Sequence, residues 1–266
     1  EVAGTPKPGN VDRHRDHDDL RFEHFLAGAV GARPGLELAG TVGDDPPALG
    51  DAFECAVRGM SQQSGGNTQF GCLLLLVPLV QTASAGELTR DGVREVCETT
   101  TVADAAGFYR AFEHVDVALA DPPAGLDDLD ARRGSDAIPA LERDGVTLYD
   151  VMARSEGDGN AAEWTRGFPR TFREADRILD GDGSVLDRAS RAFLRLLAGE
   201  EDGFVRQQSG PEAAREATRR AQACLDGEED PERMAEEFVA RGINPGTTAD
   251  ITCGALYVAL ERGLSV

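Results

Sequence analysis

Apolar residues recur along this chain at intervals of three and four, the spacing that puts them on one face of a helix. Leu49, Phe53, Val57 and Met60 follow it, as do Leu186, Ala189, Phe193 and Leu197. Start and stop signals bracket such runs. Ser184 with Asp187 and Thr147 with Asp150 spell capping boxes, and Pro211 and Pro231 stand where first helical residues belong. Gly199, Gly227, Gly242 and Gly263 follow helical stretches as stop signals. Alternating β-branched runs are nearly absent; LELAGTV, 36–42, is the best strand candidate. The pattern predicts an all-α fold, a single compact domain over 1–266 of about nine to eleven helices. No internal repeat or linker interrupts it, and the longest predicted loop is the acidic, Gly/Pro-rich stretch Asp121 to Gly134.

Composition adds an environment. The 266 residues are 41% hydrophobic, enough for a real core, and the formal net charge is −21. All but one of the 27 basic residues are arginine; Lys7 is the only lysine. Acid spread this evenly repels itself unless salt screens it, within about 3 Å at 1 M. A halophile's cytoplasmic protein is the expectation. The same charge argues against nucleic acid and anionic membrane surfaces as partners. The longest apolar run, Cys72 to Val80, is interrupted by Pro78 and too short to cross a bilayer. No signal peptide is visible, and the chain begins so close to its first motif that an upstream helix is expected to precede it. Five cysteines without CxxC spacing indicate neither a disulfide framework nor a zinc site; most read as small buried hydrophobes.

Three stretches could carry chemistry. In TPKPGNVDRHRDHDDLRFEHF, Pro6 and Pro8 stiffen the backbone around Lys7, and Gly9 permits a close approach or a positive φ. Asp12, Asp16, Asp18, Asp19 and Glu23 follow, with His14, His17 and His24 among them. Carboxylates that could hold magnesium, beside a lysine and arginines, suit a nucleoside triphosphate. Acid as dense at 127–130 and 228–230 shows that density alone is not a signal. In SQQSGGNTQFGCLLLL, Gly65 and Gly66 precede Asn67, Thr68 and an apolar helix, which is either an anion site or an ordinary turn with its cap. In GINPGTTADITCGALYVALERG, Asn244-Pro245-Gly246 makes a tight turn. Thr247 with Asp250 then fits a capping box, which by itself accounts for Asp250.

Taken together, KPG near the start, GGNT in the middle and NPGTTAD near the end resemble the triphosphoribosyl-dephospho-CoA synthase family, in order and over the whole length. The resemblance implies an all-helical fold and transfer of the 5-triphosphoribosyl unit of ATP to the 2′-hydroxyl of 3′-dephospho-CoA, with release of adenine. The family's product is the precursor of the prosthetic group of citrate and malonate lyases. GGNTQFG stands where the bacterial pattern reads GVNTHKG, and RDHDDLRFEHF replaces a His-x-Asp-Met-Asp element, as in an archaeal branch. DGFVRQQSG, from Asp202, replaces a more usual Asp-Thr-Leu stretch.

Carried onto this chain, the resemblance implies substrate contacts from Lys7, Gly9, Asn10, Arg13, Gly65, Gly66, Asn67, Thr68, Asn244 and Thr248. Mg2+ would be held by Asp16, Asp19 and Asp250. The family's α-(1→2) linkage from a β-nucleoside implies inversion, hence one displacement with acid and base on opposite faces of the sugar. Asp12, Asp16 or Asp19 would stand on one side and Asp250 on the other, with the acid and the base unassigned. Two other readings remain open: a different magnesium-dependent ribosyl- or phosphoryl-transfer enzyme on a nucleotide or cofactor precursor, and a non-catalytic nucleotide-binding protein.

Overall fold

A computed structural model of the chain describes residues 2–17, 19–43, 47–119 and 126–266. Among them helices are the only extended regular structure, with one isolated β-bridge between Asp12 and Arg15. The helices are α1 (Phe22–Ala39), α2 (Leu49–Met60), α3 (Phe70–Ser84), α4 (Arg90–Glu98), α5 (Val102–Ala111), α6 (Ile138–Asp144) and α7 (Leu148–Arg154). They continue with α8 (Gly159–Arg166), α9 (Pro169–Leu179), α10 (Val185–Gly199), α11 (Gly203–Ser209), α12 (Pro211–Leu225), α13 (Pro231–Ala240) and α14 (Gly246–Glu261). Fourteen α-helices among the described residues exceed the nine to eleven expected. The excess comes from α6, α7, α8 and α11, each of seven or eight residues, too short for apolar spacing to repeat.

The all-α expectation holds at its weakest point, 36–42, where no strand forms. Leu36–Ala39 is the last turn of α1, whose buried face is Gly28, Ala32, Gly35 and Ala39, a helical stripe of small residues. Of the predicted loop, 121–125 lie outside the described residues. Beyond them come 3-10 turns at Asp127–Leu129 and Ala131–Ala137. The capping boxes at Ser184/Asp187 and Thr147/Asp150 form, as does one at Thr101/Asp104, and Pro211 and Pro231 open their helices. Gly227, Gly242 and Gly263 adopt positive φ beyond helix ends, whereas Gly199 is the last residue of α10 without it.

The chain divides into two compact units: residues 1–23, 157–160 and 169–266 form the first, and 24–156 and 161–168 the second. The second is built on four phenylalanines, Phe53, Phe70, Phe108 and Phe112, with ring centroids 4.8–6.1 Å apart. Its helices also meet backbone to backbone. A Cβ on Gly31 would collide with the carbonyl of Gly59 on α2, and one on Gly50 with the backbone of Asp104 on α5. Trp164 is fully buried there, its indole N–H donated to the Leu74 carbonyl at 3.0 Å. The first unit packs α12 on α10 and α13 on α12, around a core that includes Phe193, Leu197, Ala214, Ala217, Met234 and Phe238, and lays α14 along α9. All five thiols are free; Cys72 and Cys97 are buried, and burial pushes the Cys97 thiol up. Among the described residues no helix is long and apolar enough to cross a membrane.

Candidate active site

The N-terminal turn of the first unit is wound around Lys7. Its side chain is 3% exposed, and Nζ donates to the carbonyls of Val2 (2.7 Å), Thr5 (2.9 Å) and Val11 (3.3 Å). A tetrahedral ammonium matches three converging carbonyls, which a planar guanidinium cannot. Gly9, at φ 85°, lies so close to Ile243 and Pro245 that a Cβ would strike the Ile243 carbonyl. Asn10 donates to the Pro245 carbonyl at 3.3 Å. The structure therefore brings Gly9 and Asn10 against the Asn244-Pro245-Gly246 turn, where the Asn244 Oδ1 is buried without a partner.

The acidic residues that follow are mostly engaged. Asp12 is fully buried; its carboxylate accepts from the His14 N–H (2.8 Å) and from the Arg15 guanidinium (3.2 Å), which also pairs with Glu232. Asp16 accepts from the Phe22 N–H at 2.9 Å, ahead of α1. Asp19 and Arg13 are exposed, with the Arg13 guanidinium over Gly4, and Asp18 lies outside the described residues.

Four helix starts converge in the same unit, those of α8, α9, α11 and α14. Asp202 sits among them, buried. It accepts from the Val205 N–H (3.0 Å), the Thr248 N–H (2.7 Å) and the Thr248 hydroxyl (2.7 Å), thereby capping α11 and α14 together. Burial pushes its carboxyl pKa up, against the pull of those hydrogen bonds. The capping box expected from Thr247 and Asp250 does not form, since α14 begins at Gly246 and Asp202 supplies its cap. Asp250 instead accepts from the Asn160 side-chain N–H at 2.8 Å, and Asn160 Oδ1 is buried without a partner. Arg170 closes the group, donating to the Gly159 carbonyl (2.6 Å) and to Glu200 (2.7 Å). A small pocket at this junction is lined by Gly157, Arg170, Glu201, Asp202, Thr247 and Thr248.

The carboxylates expected to hold magnesium do not form a cage. Asp16 caps, Asp19 faces solvent, Asp250 is held by Asn160, and among the described residues no three His, Cys, Asp or Glu side chains are grouped to bind a metal ion.

In the second unit, Gly66 takes φ 71° and the Gly65 N–H is donated to Gln63 Oε1 at 2.5 Å, while Gln63 Nε2 donates to the Gly66 carbonyl at 2.6 Å. The glutamine thus occupies the N–H an anion would use. Asn67 Oδ1 accepts from the Phe70 N–H at 3.0 Å and caps α3, and Thr68 hydrogen-bonds Gln69 at 3.1 Å.

The motifs of the sequence give Asn160, Arg170 and Asp202 no place in the site. Asp202-Gly-Phe-Val reads as a helix cap, which was a usable signal; Asn160 and Arg170 offered none.

An all-helical enzyme of nucleotide-dependent group transfer is the class these features and their relatives define. Residues 1–265 match the family model CitG, ATP:dephospho-CoA triphosphoribosyl transferase, and the chain belongs to that family. A crystal structure from Archaeoglobus fulgidus, provisionally assigned as a triphosphoribosyl-dephospho-CoA synthase, is similar at TM-score 0.72 and 26% identity. The match covers 92% of this chain and 100% of that one. No curated protein matches the chain. Its activity is that of its family, transfer of a triphosphoribosyl group from ATP to dephospho-CoA.

Proposed function

We propose that Asp250 is the carboxylate in contact with the reacting atoms and that it acts as the general base. The observation that carries this is its hydrogen bond from Asn160 at the junction of helix starts. Asp12 and Asp202 are buried and saturated by their own donors, and Asp16 caps a helix. Asp250 is partly exposed, where a substrate hydroxyl can reach it, as a general base requires.

In this reading the 2′-hydroxyl of dephospho-CoA gives its proton to Asp250 as its oxygen bonds to C1′ of the ATP ribose. The C1′–N9 bond breaks, its electron pair leaves with adenine, and the leaving base is protonated. Inversion at C1′ follows from the single displacement. Asn10, Asn244 and Thr248 border the site in the first unit. Taken by itself, the Gly65–Thr68 turn of the second unit would bind a phosphate if Gln63 gave up the Gly65 N–H. Lys7 holds the N-terminal turn in shape, and magnesium accompanies the ATP phosphates, which need few protein ligands.

Incubation with ATP, magnesium and dephospho-CoA in molar KCl, with bases and coenzyme products resolved chromatographically, tests the reading. Adenine and a triphosphoribosylated coenzyme should appear in step. ADP or AMP without adenine would move the assignment to phosphoryl or nucleotidyl transfer. We also propose that the net charge of −21 is an adaptation to molar salt. Melting temperature should then fall on dialysis from about 2–3 M KCl to 0.1 M, where the Debye length is about 10 Å. An unchanged value removes that reading.

A further inference from the structure

The opposite of the general charge pattern is found where α9 packs on α10. Glu174 is fully buried, and three arginines converge on its one carboxylate: Arg173 (3.2 Å), Arg177 (2.7 Å) and, from α10, Arg195 (2.8 Å). One negative charge faces three positive ones. The local surplus of two stands out in a chain with 48 acidic and 27 basic residues. The guanidiniums remain accessible, with side chains 48%, 51% and 25% exposed. Each uses one N–H on Glu174, and a guanidinium has five. The buried carboxylate thus splays three forks outward with most of their donors unused, an arrangement suited to phosphate oxygens.

Its position adds to the case. Arg170, Arg173, Glu174 and Arg177 recur at three and four residues, so they form one stripe along α9 that begins at the junction holding Asp250. At 1.5 Å per residue the outer arginines stand about 5–10 Å along the axis from Arg170. That matches the reach from a ribose 2′-hydroxyl to the phosphates at the 5′ end of the same nucleotide. Leu196 and Glu200, just beyond Arg195, belong to the same junction.

We propose that Arg173, Arg177 and Arg195 bind the diphosphate of the acceptor, dephospho-CoA, an assignment that rests on Asp250 being where its 2′-hydroxyl reacts. The diphosphate takes the unused N–H groups in bidentate pairs, and Glu174 keeps the three forks from collapsing onto the surface. The acceptor is thereby held through its phosphates while its hydroxyl reaches Asp250.

The test is steady-state kinetics of the double variant Arg173→Gln/Arg177→Gln in the lowest KCl that preserves the helical signal. Glu174 keeps Arg195, so the fold should hold, which circular dichroism checks. The KM for dephospho-CoA should rise about tenfold or more, with the KM for ATP within twofold and adenine still released. Inorganic diphosphate should compete with dephospho-CoA in the wild type and lose that effect in the variant. An unchanged KM for dephospho-CoA overturns the proposal, and a rise confined to ATP overturns it in favour of the donor's triphosphate. If wild-type protein releases no adenine at all, it is the reading of the reaction that fails. Direct titration of dephospho-CoA into wild type and variant then still decides whether the arginines bind it.

Discussion

Two stretches of this chain carry the same Thr-x-x-Asp pattern and do opposite things with it. Thr147 and Asp150 close a capping box: the Thr147 hydroxyl accepts from the Asp150 N–H at 3.1 Å, and the Asp150 carboxylate reaches back to the Thr147 N–H at 3.0 Å. Thr247 and Asp250 do not. Asp202, 46 residues away, satisfies the start of α14 through Thr248, so the local box is redundant. Asp250 is released from capping and held by Asn160, 90 residues away. A motif that closes its own helix at one place is tied to distant partners at the other, because a distant carboxylate has taken over the capping.

The comparison breaks most visibly at the carboxylates. Asp250→Asn should lower kcat by about 10²–10⁴, the usual range for a general base, with little change in melting. Asp150→Asn should leave turnover alone and lower the melting temperature. Activity surviving in the first variant, or vanishing in a folded second one, would erase the distinction.

Next in size is Lys7. Lys7→Arg retains the charge but not the tetrahedral geometry that three carbonyls require, and activity should drop about ten- to a hundredfold. Lys7→Met should destabilise by about 1.5–3 kcal/mol, read by chemical denaturation. The KM for ATP should stay within twofold in both. A large rise in that KM with normal stability would put the ammonium on a phosphate instead.

Asn160→Asp should cost about tenfold in kcat/KM at neutral pH by removing the donated N–H. A second carboxylate beside Asp250 disfavours its ionised form, so the acidic limb of the pH profile should move to higher pH. A profile that keeps its position would mean Asn160 does not act through Asp250.

The smallest effects concern the caps themselves. Thr147→Ala should lose about 0.5–2 kcal/mol and Thr247→Ala almost nothing, compared by denaturant titration. Hydrogen bonds from Thr147 hold the Asp150 carboxyl below its ordinary pKa, as those from Ser184 do for Asp187. The unfolded chain takes up these protons first, so this stability is complete above about pH 4 and is lost as pH falls through the lower folded values. In Thr147→Ala the loss of melting temperature on acidification should be shallower.

What could be read in advance follows the range of the interaction. Phe193 and Leu197, or Ser184 and Asp187, declare themselves because their partners lie within a turn. The short helices and the small-residue face of α1 carry too little periodicity, which is why 36–42 offers the nearest thing to a strand signal in a helical chain. The motif residues were found, but what each one does depended on neighbours far along the chain. The KPG motif offers Lys7 as a phosphate ligand but carries no sign of the Val2, Thr5 and Val11 carbonyls that surround its ammonium, and nothing near Asp250 in sequence announces Asn160.

The glycine crossings of the second unit bear on how this protein would answer a saturation screen. At Gly31 against Gly59, and at Gly50 against Asp104, there is no volume for even a methyl group, so every substitution should score as loss of function. Ranked by activity alone, these positions would stand beside Asp250 and pass for catalytic ones. Ranked by abundance of folded protein they should drop out, leaving Asp250 and Asn160 as residues whose loss a well-folded enzyme still registers.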